Sequence, residues 1–196
     1  MAHDYTGPEL CALTACEAVE ALEKGEVSLA EMLDAAFERI AQVEPHVNAL
    51  PTLCEDRARD RAAKLTRGDA PVWLAGLPTA IKDLTPVAGV RTTWGTKALA
   101  DFIPEESDPL VEKMEARGLV VLGKSNTPEM GAGGNTFNEV FGPTYNPWNT
   151  RLNAAGSSGG AAAALARMLI YVLFLILNYF DNFSPKILSI SSKGRR

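Results

Sequence analysis

Apolar residues in the first third of the chain recur at the spacing of a helix. In the segment after Ser28, the residues Leu33, Phe37 and Ile40 share one face, so this segment is predicted to be an amphipathic helix. We expect the first 70 residues to form helices that pack against a core and carry no chemistry.

Capping residues predict where these helices begin and end. A hydroxyl residue followed three positions later by glutamate is a capping box, in which the two side chains satisfy free N–H groups of the first turn. This pattern occurs at Thr14, Ser28 and Thr52. Gly25 and Gly68 are expected to end the first and third helices, and Pro45 is expected to lie just past the second.

Further along the chain, short apolar runs flank a helical segment. Residues 77–81 are predicted to form a strand that runs toward Lys82. Asp108 followed by Pro109 predicts a helix start, and residues 119–122 predict a buried strand. The order strand, helix, strand predicts an α/β fold whose sheet is covered on both faces.

The composition changes abruptly after Arg167. Residues 168–180 read MLIYVLFLILNYF, an apolar run shorter than the roughly 20 residues needed to span a bilayer, and basic residues follow. We therefore predict a domain of residues 1–167 and a divergent, apolar then basic tail of residues 168–196. The apolar run predicts a buried strand or helix, with a membrane segment as the alternative.

Charge and cysteine content exclude several functional classes. The net charge is −5 and the pI about 5.1, so no basic surface for nucleic acid is expected. Cys11, Cys16 and Cys54 have no CxxC or histidine partner, which favours a reducing compartment over a disulfide framework or a zinc site. The first ten residues lack the features of a secretory signal. We expect a cytoplasmic protein without metal or cofactor, and the oligomeric state stays open.

One segment has the letters of a phosphate-binding P-loop. Residues 118–125 read GLVVLGKS. The middle residues of a P-loop curl around phosphates after a strand has ended, whereas Leu-Val-Val-Leu favours the strand itself. Residues 126–128, Asn-Thr-Pro, also prevent a helix from starting at Lys124. We therefore interpret the segment as a strand without a nucleotide site.

A cluster of small and hydroxyl residues precedes an alanine-rich helix. Residues 156–160 read GSSGG and are followed by four alanines. Ser157 and Ser158 are therefore predicted at a helix N-terminus, where N–H groups and the helix dipole stabilise negative charge. The alternative is a flexible linker, which is not expected to run directly into an alanine-rich helix.

The lysine that follows the first predicted strand is a candidate base. Burial disfavours an ammonium ion and lowers its pKa, so Lys82 could act as a neutral amine. From spacing alone, a salt bridge to Asp83 or an exposed lysine at the strand end is the better supported alternative. Lys82 and Ser157 are too far apart in the sequence for spacing to show whether they meet.

Four segments together resemble the amidase signature family. They are residues 76–83, GLPTAIKD; 123–129, GKSNTPE; 141–149, FGPTYNPWN; and 156–160, GSSGG. The lysine and the serine–glycine motif in this order are more specific than either alone, and the resemblance covers roughly residues 8–167. It implies an α/β fold with the mixed sheet of that family, flanked by helices and represented only by its N-terminal half.

The resemblance also implies a reaction and roles for individual residues. The family hydrolyses small-molecule amides to a carboxylic acid and ammonia or an amine with a Ser–Ser–Lys triad. Lys82 would be the base, and Ser157, preceded by a cis peptide bond, would relay the proton between Lys82 and the nucleophile. Ser158 would support this network by hydrogen bonding.

A glycine-rich segment resembles the part of the family that lines the substrate cleft. It contains Gly131, Gly133 and Gly134. The alternative is a plain turn.

The resemblance fails at the nucleophile. The family places its nucleophilic serine roughly two dozen residues after the bridging serine, in a Gly-Gly-Ser motif, where this sequence has Asp181. None of the serines beyond that point follows a glycine, and Ala155 stands where the family usually has glycine. We therefore expect a chain that descends from amide hydrolases, truncated or rearranged after Arg167, and inactive as it stands.

Two other functions stay open. One is a non-catalytic fragment whose tail, through residues 168–180, binds a partner or a membrane. The other is a relative of the tRNA-dependent amidotransferase subunit, which shares the signature and needs a transferase partner. Residues 145–149, YNPWN, favour stand-alone amidases by resemblance.

Overall fold

The computed structural model describes residues 7–67, 72–167 and 170. In these residues the helices α1 to α5 are Ala15–Lys24, Leu29–Val47, Glu55–Lys64, Pro109–Ala116 and Gly159–Ala166. The strands β1 to β7 are Thr52–Leu53, Pro78–Lys82, Val120–Ser125, Phe137–Asn138, Gly142–Pro143, Tyr145–Asn146 and Asn149–Asn153. Short 3₁₀ helices occupy Glu9–Ala12, Lys97–Leu99 and Glu129–Gly131.

A three-stranded sheet with the order β1–β3–β2 lies at the centre. Strands β2 and β3 are parallel and are joined by a crossover that contains α4, whereas β1 pairs antiparallel with β3. This mixed sheet confirms the predicted α/β fold. Because parallel strands end at the same edge of a sheet, Lys82 and Ser125 are neighbours in register at that edge.

Apolar side chains cover both faces of this sheet. Val120 and Leu122 of β3 pack in one cluster with Leu33 of α2, and Val121 packs in a second cluster with Met32. Since successive residues of a strand point to opposite faces, the two clusters lie on opposite sides of the sheet. Helix α2 therefore contributes to both clusters, and its predicted apolar face is confirmed.

The predicted strand–helix–strand unit is also confirmed. The Asp108 carboxylate accepts a hydrogen bond from the Leu110 amide at 2.8 Å, and Pro109 is the first residue of α4. All six residues of β3 are buried. The segment with P-loop letters therefore continues as a strand where a P-loop would curl around phosphates.

Two of the three predicted capping boxes are confirmed. Thr14 and Ser28 each form a complete capping box. Thr52 instead lies in β1 opposite Lys124, and α3 begins after Cys54 without a side-chain cap. The prediction for Thr52 is wrong because pairing with β3 places this residue in a strand.

Of the predicted helix ends, the one at Gly25 is confirmed and the one at Pro45 is wrong. Gly25 ends α1 in the left-handed conformation, at φ 70°. The prediction that Pro45 follows α2 is wrong, because Pro45 lies inside the helix, which ends at Asn48 with φ 50°. Asparagine tolerates this conformation, and its side chain donates to the Phe141 carbonyl at 2.8 Å. Gly68 lies outside the described residues.

Candidate active site

Lys82 is the last residue of β2, and only 5% of its surface is exposed. The neighbouring Asp83 carboxylate accepts hydrogen bonds from the Thr93 hydroxyl at 2.5 Å and the Thr93 amide at 3.1 Å. Lys82 is therefore not an exposed lysine, and it forms no ion pair with Asp83 among the described residues. Burial lowers the pKa of Lys82 below its ordinary value, which increases the fraction of neutral amine.

Two serine hydroxyls meet the Lys82 amine. Its Nζ lies 2.9 Å from the Oγ of Ser157 and 2.9 Å from the Oγ of Ser158. A neutral amine can donate two hydrogen bonds and accept one, and a hydroxyl can do either. The geometry therefore permits a proton to pass between Ser157 and Lys82.

Both serines lie in the turn that leads into α5, as the sequence predicts. The peptide bond between Gly156 and Ser157 is cis. Ser158 is the N-cap residue of α5, but its hydroxyl makes no capping hydrogen bond. That hydroxyl contacts Lys82 instead.

Thr136, which the sequence analysis does not single out, contacts both sides of this turn. Its hydroxyl donates to the Ala155 carbonyl at 3.0 Å and accepts from the Gly159 amide at 3.0 Å. A Cβ on Gly159 would lie 2.3 Å from the Thr136 hydroxyl, so only glycine leaves room for this contact. In the sequence, the only indication of a role for Thr136 is its place in a segment rich in glycine and asparagine. The same pattern is typical of an ordinary turn.

Buried amides connect the end of β3 to the same region. The Asn138 side chain donates to the Asn126 side chain at 2.7 Å, and Asn126 donates to the Thr144 hydroxyl at 3.0 Å. The Thr127 hydroxyl donates to the Ser157 carbonyl at 3.4 Å. The sequence analysis uses Asn126 and Thr127 only as an obstacle to a helix and as part of a motif segment. It does not predict these contacts, because hydrogen bonds between distant segments leave no local pattern.

The glycine-rich segment lies beside the serine turn. The Gly134 carbonyl accepts from the Gly156 amide at 2.7 Å, and Gly133 and Gly134 are both exposed. Gly131 has φ 72°, and a Cβ there would lie 2.6 Å from Leu84. The segment therefore borders the site, and its role in lining a substrate cleft stays a prediction.

A second buried lysine, Lys124, precedes the last residue of β3. It donates to the Thr92 hydroxyl at 2.9 Å and to the Thr85 carbonyl. Burial lowers the pKa of Lys124 to about 8, although the nearby charge of Asp83 acts in the opposite direction. Because its partners belong to the segment after β2, Lys124 fastens that segment to the sheet.

Metal-binding and membrane-spanning features do not occur in the described residues. None of their histidine, cysteine, aspartate and glutamate side chains form a group of three that could hold a metal ion. None of their helices is long and apolar enough to cross a membrane. Apart from Ile170, the apolar run of residues 168–180 lies outside this part of the chain.

A comparison with protein families decides the classification of this chain. The family model described as Amidase matches residues 31–172. The chain belongs to the amidase family. The resemblance stated from four sequence segments is thereby confirmed. The matched range extends past Arg167 into the predicted tail, and the division of the chain at that residue stays a prediction.

Curated relatives of this amidase-family chain include a glutamyl-tRNA(Gln) amidotransferase subunit of Carboxydothermus hydrogenoformans. It is 41% identical over 162 residues, which are 81% of this chain and 33% of the relative. The same protein of Thermoanaerobacter pseudethanolicus is also 41% identical over 162 residues. The chain thus spans about a third of the length of the curated relatives it matches.

Solved structures of the same family confirm the fold. A 6-aminohexanoate cyclic dimer hydrolase matches with a TM-score of 0.75 and 32% identity, covering 82% of this chain and 33% of the other. A bacterial aryl acylamidase of the amidase signature family matches with a TM-score of 0.73 and 36% identity, covering 81% of this chain and 34% of the other.

Proposed function

We propose that this amidase-family chain carries the base and the bridging serine of a site that cleaves the C–N bond of a small-molecule amide. Lys82 is the base, Ser157 relays the proton, and Ser158 holds the amine in place. The contact of the Lys82 amine with both hydroxyls at 2.9 Å carries this proposal. The lowered pKa of Lys82 supports it, since a base must be neutral to accept a proton.

The proposed reaction moves one proton along this contact and back. Neutral Lys82 takes the proton of Ser157 while Ser157 takes that of the nucleophilic hydroxyl, which adds to the amide carbonyl. The C–N bond then breaks, and the leaving nitrogen receives the proton through Ser157 as ammonia or an amine leaves. A water molecule then attacks the carbonyl of the acyl-enzyme and gives its proton along the same path. The acid is released, and the nucleophilic hydroxyl recovers its proton.

In this proposal, the described residues supply the base and the bridging serine but not the nucleophile. At the distance from Ser157 where the family has its nucleophilic serine, this chain has Asp181, which lies outside the described residues. We therefore propose that the 196-residue chain by itself does not turn over amides. Hydrolysis would then require a nucleophile from outside this sequence.

A titration of Lys82 tests the proposed base directly and does not depend on turnover. The chain is labelled with [13Cε]lysine, and the Lys82 signal is assigned by its loss in Lys82→Arg. We expect it to titrate below the ordinary value of 10.5, whereas Lys24, an exposed lysine paired with Glu20, is expected to titrate above it. A Lys82 signal that titrates at the ordinary value would contradict the proposed base.

The second candidate function is that of a relative of the amidotransferase subunit. The identity of 41% to curated proteins of that name favours it, whereas the solved hydrolase and acylamidase favour a stand-alone amidase. The two differ in the need for partner subunits. Co-elution of the purified chain with the other subunits of the Carboxydothermus hydrogenoformans amidotransferase would favour the second candidate, and separate elution would favour the first.

A further inference from the structure

We infer that the Thr136 hydroxyl is a positioning group that holds Ser157 and Ser158 against Lys82. The inference deepens the proposed function and rests on it, because it concerns how the two serines of the proposed site are held. It is carried by the hydrogen bonds of one buried side chain and by the capping geometry of α5.

The two hydrogen bonds of the Thr136 hydroxyl enclose the serine turn. One reaches Ala155, which precedes the turn, and the other reaches Gly159, which follows it. The oxygen that makes both bonds is itself fixed, because the Thr136 amide donates to Ala154 at 3.1 Å and its carbonyl accepts from the Thr144 amide at 2.9 Å. A fixed oxygen bonded to both ends of a turn restricts the residues between them.

Thr136 also supplies an acceptor at the start of α5. The first N–H groups of a helix need acceptors, and a serine at the N-cap ordinarily accepts from the second or third of them. Here the N-cap residue Ser158 makes no such bond and contacts Lys82, while the amide of Gly159, the first residue of α5, donates to Thr136. The Thr136 hydroxyl therefore ties the first residue of α5 to the residue before the serine turn. Without this hydroxyl, we expect the start of α5 to loosen and both serine hydroxyls to move away from the amine.

Substitutions of two threonines separate positioning from general stability. Thr136→Val keeps the shape of the side chain and removes both hydrogen bonds, whereas Thr136→Ser keeps the hydroxyl. Thr144→Val is the matched control, because the Thr144 hydroxyl is equally buried and also makes two hydrogen bonds, with Asn48 at 2.6 Å and Asn126 at 3.0 Å. None of these partners belongs to the serine turn.

The measurements are the [13Cε]lysine titration of Lys82 and hydrogen exchange at the Gly159 amide. In Thr136→Val we expect the Lys82 titration to move upward, because water enters where the serine turn had buried the amine. The Gly159 amide should exchange about tenfold faster or more, since it has lost its acceptor. Thr136→Ser and Thr144→Val should leave both values as in the parent chain, although Thr144→Val lowers the urea midpoint as much as Thr136→Val does.

The outcomes distinguish this inference from the proposed function. If the parent chain shows a lowered Lys82 titration that Thr136→Val leaves unchanged, the positioning role is wrong and the proposed base stands. An ordinary titration in the parent chain contradicts the proposed base instead. Should Thr136→Val not fold, Thr136→Cys takes its place, because its thiol weakens both hydrogen bonds, and a smaller upward shift is then expected. No shift in Thr136→Cys, with faster exchange at Gly159, would also overturn the inference.

Discussion

Two buried lysines and one half-buried glutamate show that similar shifts in pKa accompany different contacts. Burial moves the pKa of Lys82, Lys124 and Glu44 toward the neutral form, to about 8 for Lys124 and to about 7 for Glu44. Only Lys82 contacts hydroxyls of the serine turn. The Glu44 carboxylate accepts from the Ala49 and Leu50 amides just after α2. Contacts, rather than the shifts alone, identify the candidate base.

The Glu44 carboxyl predicts a pH dependence of stability. Its pKa of about 7 in the folded state lies above the ordinary 4.5, so between these values the folded state binds more protons than the unfolded state. The free energy of unfolding therefore falls as pH rises through this window, by at most about 3 kcal/mol. Urea denaturation of the parent chain and of Glu44→Gln at pH 4.5 and pH 7 measures this. The parent should lose stability that the variant keeps, and parallel losses would contradict the prediction.

At the scale of elements, capping and strand pairing compete for the same sequence pattern. Ser28 and Thr52 both stand three residues before a glutamate. Ser28 caps α2, with its hydroxyl accepting from Glu31 at 3.2 Å. Thr52 pairs with β3, and its hydroxyl is buried without a hydrogen-bond partner among the described residues. The same local pattern therefore places a capping hydroxyl at Ser28 and an unpaired hydroxyl at Thr52.

Substitution of these two residues should have different consequences. Ser28→Ala removes a helix cap and is expected to lower the free energy of unfolding by about 1 kcal/mol. Thr52→Val keeps the branched shape and removes an unpaired buried hydroxyl, so it is expected to be neutral or stabilising. Urea denaturation of both variants against the parent chain measures this. A loss in Thr52→Val equal to that in Ser28→Ala would show that Thr52 also acts as a cap.

Close packing determines how α5 approaches the sheet. A Cβ at Gly160 would lie 2.4 Å from the Asn126 amide nitrogen and 2.8 Å from the Ala49 carbonyl oxygen. Both atoms belong to the backbone, so neither can turn aside. This close approach brings the start of α5, and with it the serine turn, to the edge of the sheet where Lys82 lies.

Gly160→Ala should therefore destabilise the fold. Overpacking of this kind costs typically about 1–3 kcal/mol, which exceeds the gain in helix propensity from alanine. Gly134→Ala is the control, because a Cβ at Gly134 would have no atom within 4 Å. Thermal or urea denaturation should show a clear loss for Gly160→Ala and almost none for Gly134→Ala. Equal losses would mean that space at residue 160 does not limit the packing of α5.

At the scale of the whole molecule, the chain brings together part of the proposed amide-cleaving site. The described residues hold Lys82 beside Ser157 and Ser158, while the chain spans about a third of the length of its curated relatives.

Residues 168–180 are the basis of the alternative in which a tail binds a partner or a membrane, and this stays a prediction. Flotation of the chain with vesicles would support it, and solubility without detergent would argue against a membrane anchor.

The proposed lack of a nucleophile predicts the activity of the purified chain. With an aryl amide as substrate, the 196-residue chain should release no product above the blank, and Lys82→Ala should behave identically. A bacterial aryl acylamidase in the same assay shows that turnover would be detected. Turnover that Lys82→Ala abolishes would contradict the proposed inactivity and would place a nucleophile within this chain.

The sequence by itself determined the local elements and the family. Apolar spacing and caps located α1, α2, α4 and the two parallel strands, because such elements depend on residues a few positions apart. Four motif segments identified the family and, with it, Lys82 and Ser157 as candidate site residues.

The tertiary structure decided which of these residues meet. It placed the Lys82 amine on two hydroxyls 75 and 76 residues away and put Thr136 across the serine turn. It also overruled the cap predicted at Thr52. The reason is physical, since contacts between distant segments depend on how the sheet and α5 pack, and no local pattern of residues records that packing.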